Sequence, residues 1–287
     1  MRMLGLATVI GIWLGVDGLT LVATAAQGRQ VDALRDNSFL IEEAYNQEAG
    51  VVQHILTWRQ EVNHLPGGTD RDWQLAFTQE WPLGSERHQA SYTLPYARLD
   101  AGEGAVSGFG DVVLSYRVRM VEESSSRPTI TFRAGVVLPS GSSRRGLGEG
   151  AVGYELNLPV SKALSDRWAV HANLGVSGVP SQEGRDPTTL HFGGSAIYAL
   201  RRDWHVLVEG LARWSERSTG FRAVDRWSET VISPGFRYAF SGRSSQWVVG
   251  IGVPIGLQRR APDYGLLLYL SLEHPFRRPP TPRPEEP

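Results

Sequence analysis

The sequence predicts an all-β protein, a transmembrane antiparallel β-barrel of about twelve strands preceded by a short N-terminal helix. Three observations carry that expectation. The first is strict alternation between two chemical classes over three consecutive segments. Val112, Leu114, Tyr116, Val118 and Met120 share one face of the first, opposite Asp111, Ser115, Arg117 and Arg119. In the second, Ile130, Phe132, Ala134, Val136 and Leu138 oppose Thr131, Arg133 and Gly135, and in the third Tyr154, Leu156, Leu158 and Val160 oppose Glu155 and Asn157. Period two means strand, because successive side chains leave opposite faces of the pleat. Lipid against the apolar stripe and a wet lumen against the polar one account for both faces at once.

The second observation is strand count. Periodic segments fall at roughly 50–58, 72–81, 87–98, 108–120, 128–138, 150–161, 168–178, 189–199, 204–214, 227–240, 246–257 and 264–274, an even number as a single-chain bacterial barrel requires. Their connections alternate: the set beginning with RQEVNHLPGGTDR is generally long, the set beginning with PLGSE short. Long loops outside and short turns on the periplasmic side is the asymmetry of outer-membrane barrels. Third, Trp58, Trp73, Trp214 and Trp227 fall near strand ends that face the long connections, whereas Trp81, Trp168, Trp204 and Trp247 fall near the short turns. Two tryptophan levels are the expected aromatic girdles of the two membrane interfaces.

Taken in order, residues 1–26 read as a signal peptide, with Arg2, the apolar run LGLATVIGIWLGV and the small residues Ala23-Thr24-Ala25 at the cleavage position. Residues 27–49 form an N-terminal periplasmic or plug segment. Asp36, Asn37 or Ser38 as N-cap, Glu42 and Glu43 early and Gly50 as a stop predict a short helix there, lying either in the lumen or beside the barrel. Phe39, Glu42, Glu43 and Tyr45 are its candidate plug residues. The outer-membrane barrel then occupies residues 50–276. Its first strand, VVQHILTW, has a polar residue on each face, Gln53 and His54, which leaves its orientation open. The eleventh, QWVVGIGVPIGL, is apolar or glycine on both faces, so its inner side is expected to press on something, with the N-terminal segment as a candidate. Residues 277–287 form a disordered proline-rich tail.

Composition excludes several classes. The chain has no cysteine, which removes disulfides and thiolate metal sites, and a formal net charge of −1, which gives no footprint for nucleic acid. Lys162 is the sole lysine. No G-x-S-x-G elbow, His-x-Ser pair or phosphate loop occurs.

The strings GFGDVVLSYRVRM and FRAGVVLPSGSSRRGLGEGAVGYELNLPVSK resemble the MetA-pathway phenol-degradation family of outer-membrane transporters. Gly108, Gly110 and Asp111 match its glycine-aspartate strand start, and Leu138-Pro139-Ser140-Gly141 its strand end. The resemblance spans most of residues 36–276 and implies a barrel for uptake of hydrophobic or aromatic compounds, with no catalytic residues to carry over. The expected function is therefore passive uptake of such solutes across the bacterial outer membrane, with a structural or adhesive barrel and a lipid-modifying enzyme as alternatives.

Alternation assigns to the lumen Asp111, Arg117, Arg133, Glu155, Asn157, Glu209 and Arg237, with Glu80, His171, Asn173, His191, His205 and Arg213 beside them. Mixed charges there either pair with one another or form a selectivity ladder. His171, His191 and His205 lie on consecutive strands but near opposite ends, so no metal and no cofactor are expected. The expected partners are outer-membrane lipid, a small hydrophobic or aromatic solute and the barrel assembly machinery.

Overall fold

The computed structural model describes residues 36–65, 68–100, 104–180, 187–218, 224–242 and 245–276. The expected signal peptide and proline-rich tail lie outside them. The wall is one closed antiparallel sheet: β1(Val51–Leu65), β2(Gly68–Leu83), β3(Ser85–Asp100), β4(Ala105–Phe109), β5(Val112–Val121), β6(Thr129–Leu138), β7(Gly153–Ser165), β8(Trp168–Gly178), β9(Thr188–Arg201), β10(Trp204–Ser218), β11(Val224–Ser241), β12(Gln246–Gly252), β13(Ile255–Gly256) and β14(Tyr264–Pro275). Each strand pairs with its neighbours, and β1 closes on β14 from Val51↔Pro275 to Val62↔Tyr264. Two staves are interrupted. β4 and β5 both pair β3 across a break at Gly110-Asp111, and β12 and β13 both pair β11 and β14 across Val253-Pro254, so fourteen segments make twelve staves. Closure leaves no edge to be satisfied inside the lipid, where water is absent.

The two faces separate as the alternation predicts. Leu56, Leu114, Tyr116, Val136, Leu174, Phe192, Val208, Ile232 and Leu268 are exposed apolar side chains on the outer wall. Gln89, Arg117, Asn157, His171, Glu209 and Arg237 are buried on the inner one. The first strand is now oriented. Gln53 is buried among inner-wall hydrogen bonds, and His54 stacks outside on Phe77 and His274, with ring centroids 6.1 and 5.2 Å away.

The long connections are shorter than the sequence suggests. Most of RQEVNHLPGGTDR is strand, since β1 and β2 stay paired out to Leu65↔Gly68. Trp58 and Trp73 therefore sit inside hairpins that continue past them rather than at strand ends. This extension is polar on both faces but its pairing continues without a break, so nothing local ends the strands at the belt. On the other side the connections are tight, with Gly84 alone, at φ 76°, turning β2 into β3.

The helix expected before the barrel is not formed in its described part. Residues 36–50 run as an irregular chain inside the wall, and 27–35 lie outside the described residues. The physical reason is competition for backbone donors. The N–H groups of Phe39, Leu40 and Ile41 all go to Glu209 Oε1, at 2.9, 2.7 and 3.1 Å. Those of Glu42, Ala44 and Gln47 go to Asn173, Ser161 and Gln89. Wall side chains thus hold the donors that a helix would have turned back on itself.

Prolines within strands interrupt the ladder less than their missing N–H groups suggest. Pro234 and Pro254 still accept from Val253 and Gly265 at 3.0 and 2.7 Å. At Pro159 the β6–β7 register passes from Ile130↔Val160 to Arg133↔Asn157 without pairs between them.

Candidate functional site

The lumen is built around the segment Asp36–Gln47. It enters against β14 and β11, crosses the inner faces of β10 to β5 and leaves past β3 into β1. At its start Arg237 Nη1 donates to the backbone oxygens of Asp36 and Asn37, at 2.8 and 2.6 Å, and its Nε reaches His205 Nδ1 at 3.2 Å. Asp36 Oδ1 accepts from Gln53 at 2.9 Å and from Tyr269 at 3.3 Å. Ser38 meets Ser195 across 2.6 Å.

Phe39 and Ile41 explain the inward glycines. A Cβ placed on Gly250 would lie 2.4 Å from the Phe39 ring, with Gly235 and Gly252 lining the same hollow at 2.7 and 3.0 Å. One on Gly193 would meet Ile41 at 2.4 Å. Around them Ile55, Ala239, Val248, Leu267 and Tyr269 form one apolar cluster and Ala169, Ile197, Ala199 and Leu207 another, both packed on Phe39.

Glu42 is the ionic centre. Its carboxylate accepts from Arg117, from Arg133 Nε at 3.0 Å and from Asn157 Nδ2 at 2.7 Å. Its backbone amide pairs both ways with the Asn173 carboxamide, N–H to Oδ1 at 2.8 Å and C=O from Nδ2 at 2.7 Å. Arg117 also donates to Glu43 and to the Tyr45 carbonyl, at 3.1 and 3.0 Å, and Arg133 to Glu155 at 2.9 Å. The register explains why both guanidiniums reach one carboxylate: Arg117 and Arg133 are direct cross-strand partners, and Arg133 faces Asn157 on the next strand. Two like charges set side by side repel, and Glu42 between them relieves this. Tyr45 ends the crossing with its hydroxyl on Glu123 at 2.9 Å.

Of the sequence-assigned lumen residues, Arg117, Arg133, Glu155, Asn157, Glu209 and Arg237 converge on this segment directly or through one partner. Asp111 does something else. Its carboxylate accepts from the backbone N–H groups of Gly141 and Glu149, both at 2.8 Å, and so ties down the 139–152 connection. Leu147 from that connection is buried over Gly108, where a Cβ would come within 2.9 Å of it. The glycines flanking Asp111 are thus the surface on which the loop folds. At the other outer hairpins, His64 donates from its backbone N–H to Asp263 at 2.7 Å and contacts it through Nδ1 at 2.8 Å. These contacts hold the Asp263 carboxyl below the usual carboxylate range.

Sequence reasoning left Gln53 undecided and passed over Gln89, Ser161 and Ser195. The signal was present, a small or amide side chain on inward parity near a strand's periplasmic end, but such residues fit a solvated lumen equally well.

The outer tryptophans and their neighbours form contacts along the wall. Trp168 packs on Tyr198 at 4.8 Å, Trp204 on Phe236 and Tyr238 at 5.1 and 4.9 Å, and Phe240 on Trp247 at 6.1 Å. Trp81 meets Tyr92 at 5.9 Å and Trp73 meets Tyr96 at 6.0 Å. Trp204 and Trp214 lie on one strand ten residues apart, which at ~3.3 Å per residue and ~40° tilt is about 25 Å of height.

A closed twelve-stave wall with apolar side chains outside and bonded charges inside defines a bacterial outer-membrane β-barrel. The chain belongs to the family described as "Putative MetA-pathway of phenol degradation", whose model matches residues 36–273. Among solved structures it is similar to the COG4313 outer membrane channel from Pseudomonas putida F1, with a TM-score of 0.61 and 16% identity over 81% of this chain and 98% of that one. The translocator domain of the autotransporter NalP from Neisseria meningitidis gives 0.46 and 13%, over 88% and 95% of the two chains. The KdgM porin gives 0.44 and 11%, over 78% and 99%. No curated protein matches the chain in sequence.

Proposed function

We propose that this barrel is a passive outer-membrane route for small hydrophobic or aromatic compounds, and that residues 36–48 are its plug. The observation that carries the reading is the way the segment is held. Most of its polar contacts are wall side chains bonding its backbone or ionic pairs, so it can be displaced without breaking the barrel's own ladder. Family membership supports the solute class, and the absence of any phosphate-loop motif supports a passive route.

Conductance of the refolded full chain in a planar bilayer tests it. The expected result is few or no steps from the full chain, and clear steps after deletion of residues 36–48. Silence from a folded deletion variant overturns the plug.

An enzyme reading would start from Ser161 and His171, 2.7 Å apart on the inner wall. Yet Ser161 Oγ already accepts the Ala44 N–H, and among the described residues His171 Nε2 has no hydrogen-bond partner. That favours a structural link over a nucleophile and its base. An adhesive role is disfavoured by outer connections this short, several of them only a few residues beyond the paired strands.

A further inference from the structure

We propose that the cavity of about 300 Å³ between residues Phe39–Glu42 and the inner wall of β1, β2, β3 and β5 binds one small uncharged aromatic molecule bearing a hydroxyl group. The proposal rests on the channel reading above and adds where the solute stops and which solutes do.

Size sets the first limit. An apolar cavity of ~150 Å³ admits benzene, so a volume of about 300 Å³ has room for a substituted single ring and for a fused two-ring solute as well. The walls set the second. On one side stand Phe39, Leu40 and Tyr269, with the Phe39 and Tyr269 ring centroids 5.5 Å apart, an apolar and aromatic surface for a ring to lie on. Facing it is a hydroxyl surface. The register aligns Thr78 with Thr93 and Ser91 with Ser115, and the Thr78 and Thr93 hydroxyls already bond each other at 2.8 Å. Hydroxyls donate or accept, so they match a phenolic O–H in either role.

Charge sets the third limit. The cavity is lined by the carboxyl groups of Glu42, Glu80 and Glu155 and by the guanidinium of Arg133, which is already bonded to Glu42 and Glu155. An anionic ring such as benzoate meets three carboxyl groups here and a guanidinium already held by two of them, and desolvating its charge is costly. A neutral hydroxylated ring meets no such penalty.

Because the segment forms one wall, displacing it dismantles the site. Bound solute and displaced plug are therefore alternative states, and occupancy opposes opening until the solute moves on.

The test is calorimetric titration of the detergent-folded full chain with phenol, toluene and benzoate against empty micelles. Phenol is expected to bind saturably and benzoate not to. The double variant Thr78→Val, Thr93→Val keeps the shape and removes the hydroxyls. It should weaken phenol by about tenfold and leave toluene unchanged, the loss expected for hydrogen bonds of ordinary net strength. Thr57→Phe, which fills the cavity, should abolish binding of both. Phenol binding unchanged in the double variant and in Thr57→Phe, with each folded by circular dichroism, overturns the site, as does benzoate binding as tight as phenol. Liposome flux through the deletion variant separates the two readings. Flux without saturable binding to the full chain removes the site and leaves the channel, and binding without flux does the reverse.

Discussion

Glu209 shows how much one side chain holds. Its Oε1 takes three consecutive backbone N–H groups, of Phe39, Leu40 and Ile41. Each orphaned buried donor costs roughly 1–3 kcal/mol. Glu209→Leu should therefore release the segment rather than unfold the wall, and raise bilayer conductance toward that of the deletion, whereas Glu209→Gln, which keeps an acceptor, should raise it less. Equal, low conductance for both would show that the segment is held elsewhere. Gly250 makes the complementary case. Gly250→Val adds bulk against a ring only 2.4 Å from the new Cβ, and overpacking costs about 1–3 kcal/mol. Adding Phe39→Ala should recover most of that loss in urea unfolding, and failure of the pair to couple would mean the ring does not occupy the glycine hollow. The inward glycines of β12 were legible as a sign of close approach, because neither face of QWVVGIG offers a polar stripe. The N-terminal segment was a candidate for what approaches, but the residue, Phe39, was not legible, since the contact joins residues more than two hundred positions apart in the chain.

At the scale of elements, the strands were readable and the segment before them was not. A barrel strand repeats one local instruction, apolar then polar, so ten residues suffice to locate it, although β1 runs on to Leu65 from an expected end near 58. The N-terminal segment carries helix signals, yet those signals assume that water is the competing partner for its amides. In the lumen the competitors are Glu209, Asn173, Ser161 and Gln89, supplied by β10, β8, β7 and β3; alternation puts them on the inner face, but no pattern within the segment reports that they take its amides. The ionic bonds of the same segment yield a third prediction. Arg117→Met leaves Glu43 without its guanidinium and Glu42 with one of two, and stranding a buried carboxylate costs about 3–5 kcal/mol while it stays buried. Release to water removes that cost, so the expected outcome is a folded barrel whose residues 36–48 become sensitive to chymotrypsin at Phe39 and Tyr45. Protection equal to wild type would show that the carboxylates stay in place and find other partners.

For the whole molecule, the two tryptophan levels and the asymmetry of the connections imply an orientation, and orientation decides what the proposed plug and the cavity face. The level of Trp168, Trp204 and Trp247 adjoins the tight connections, and the level of Trp58, Trp73 and Trp214 lies below hairpins that project beyond it. About 25 Å between them matches the apolar height of an outer-membrane barrel. With the tight turns toward the periplasm, the segment occupies the periplasmic half of the lumen. The cavity then lies on its outer side, where arriving solute meets it first. The absence of cysteine makes this directly measurable, because a single introduced thiol has no background. Arg144→Cys, on the 139–152 connection, should react on intact cells with a maleimide that cannot cross the membrane, and Asp166→Cys, in the β7–β8 turn, only after the cells are opened. The reverse pattern would invert the barrel, put the segment at the outer mouth and leave the cavity facing the periplasm, so that it would receive solute only after the membrane had been crossed.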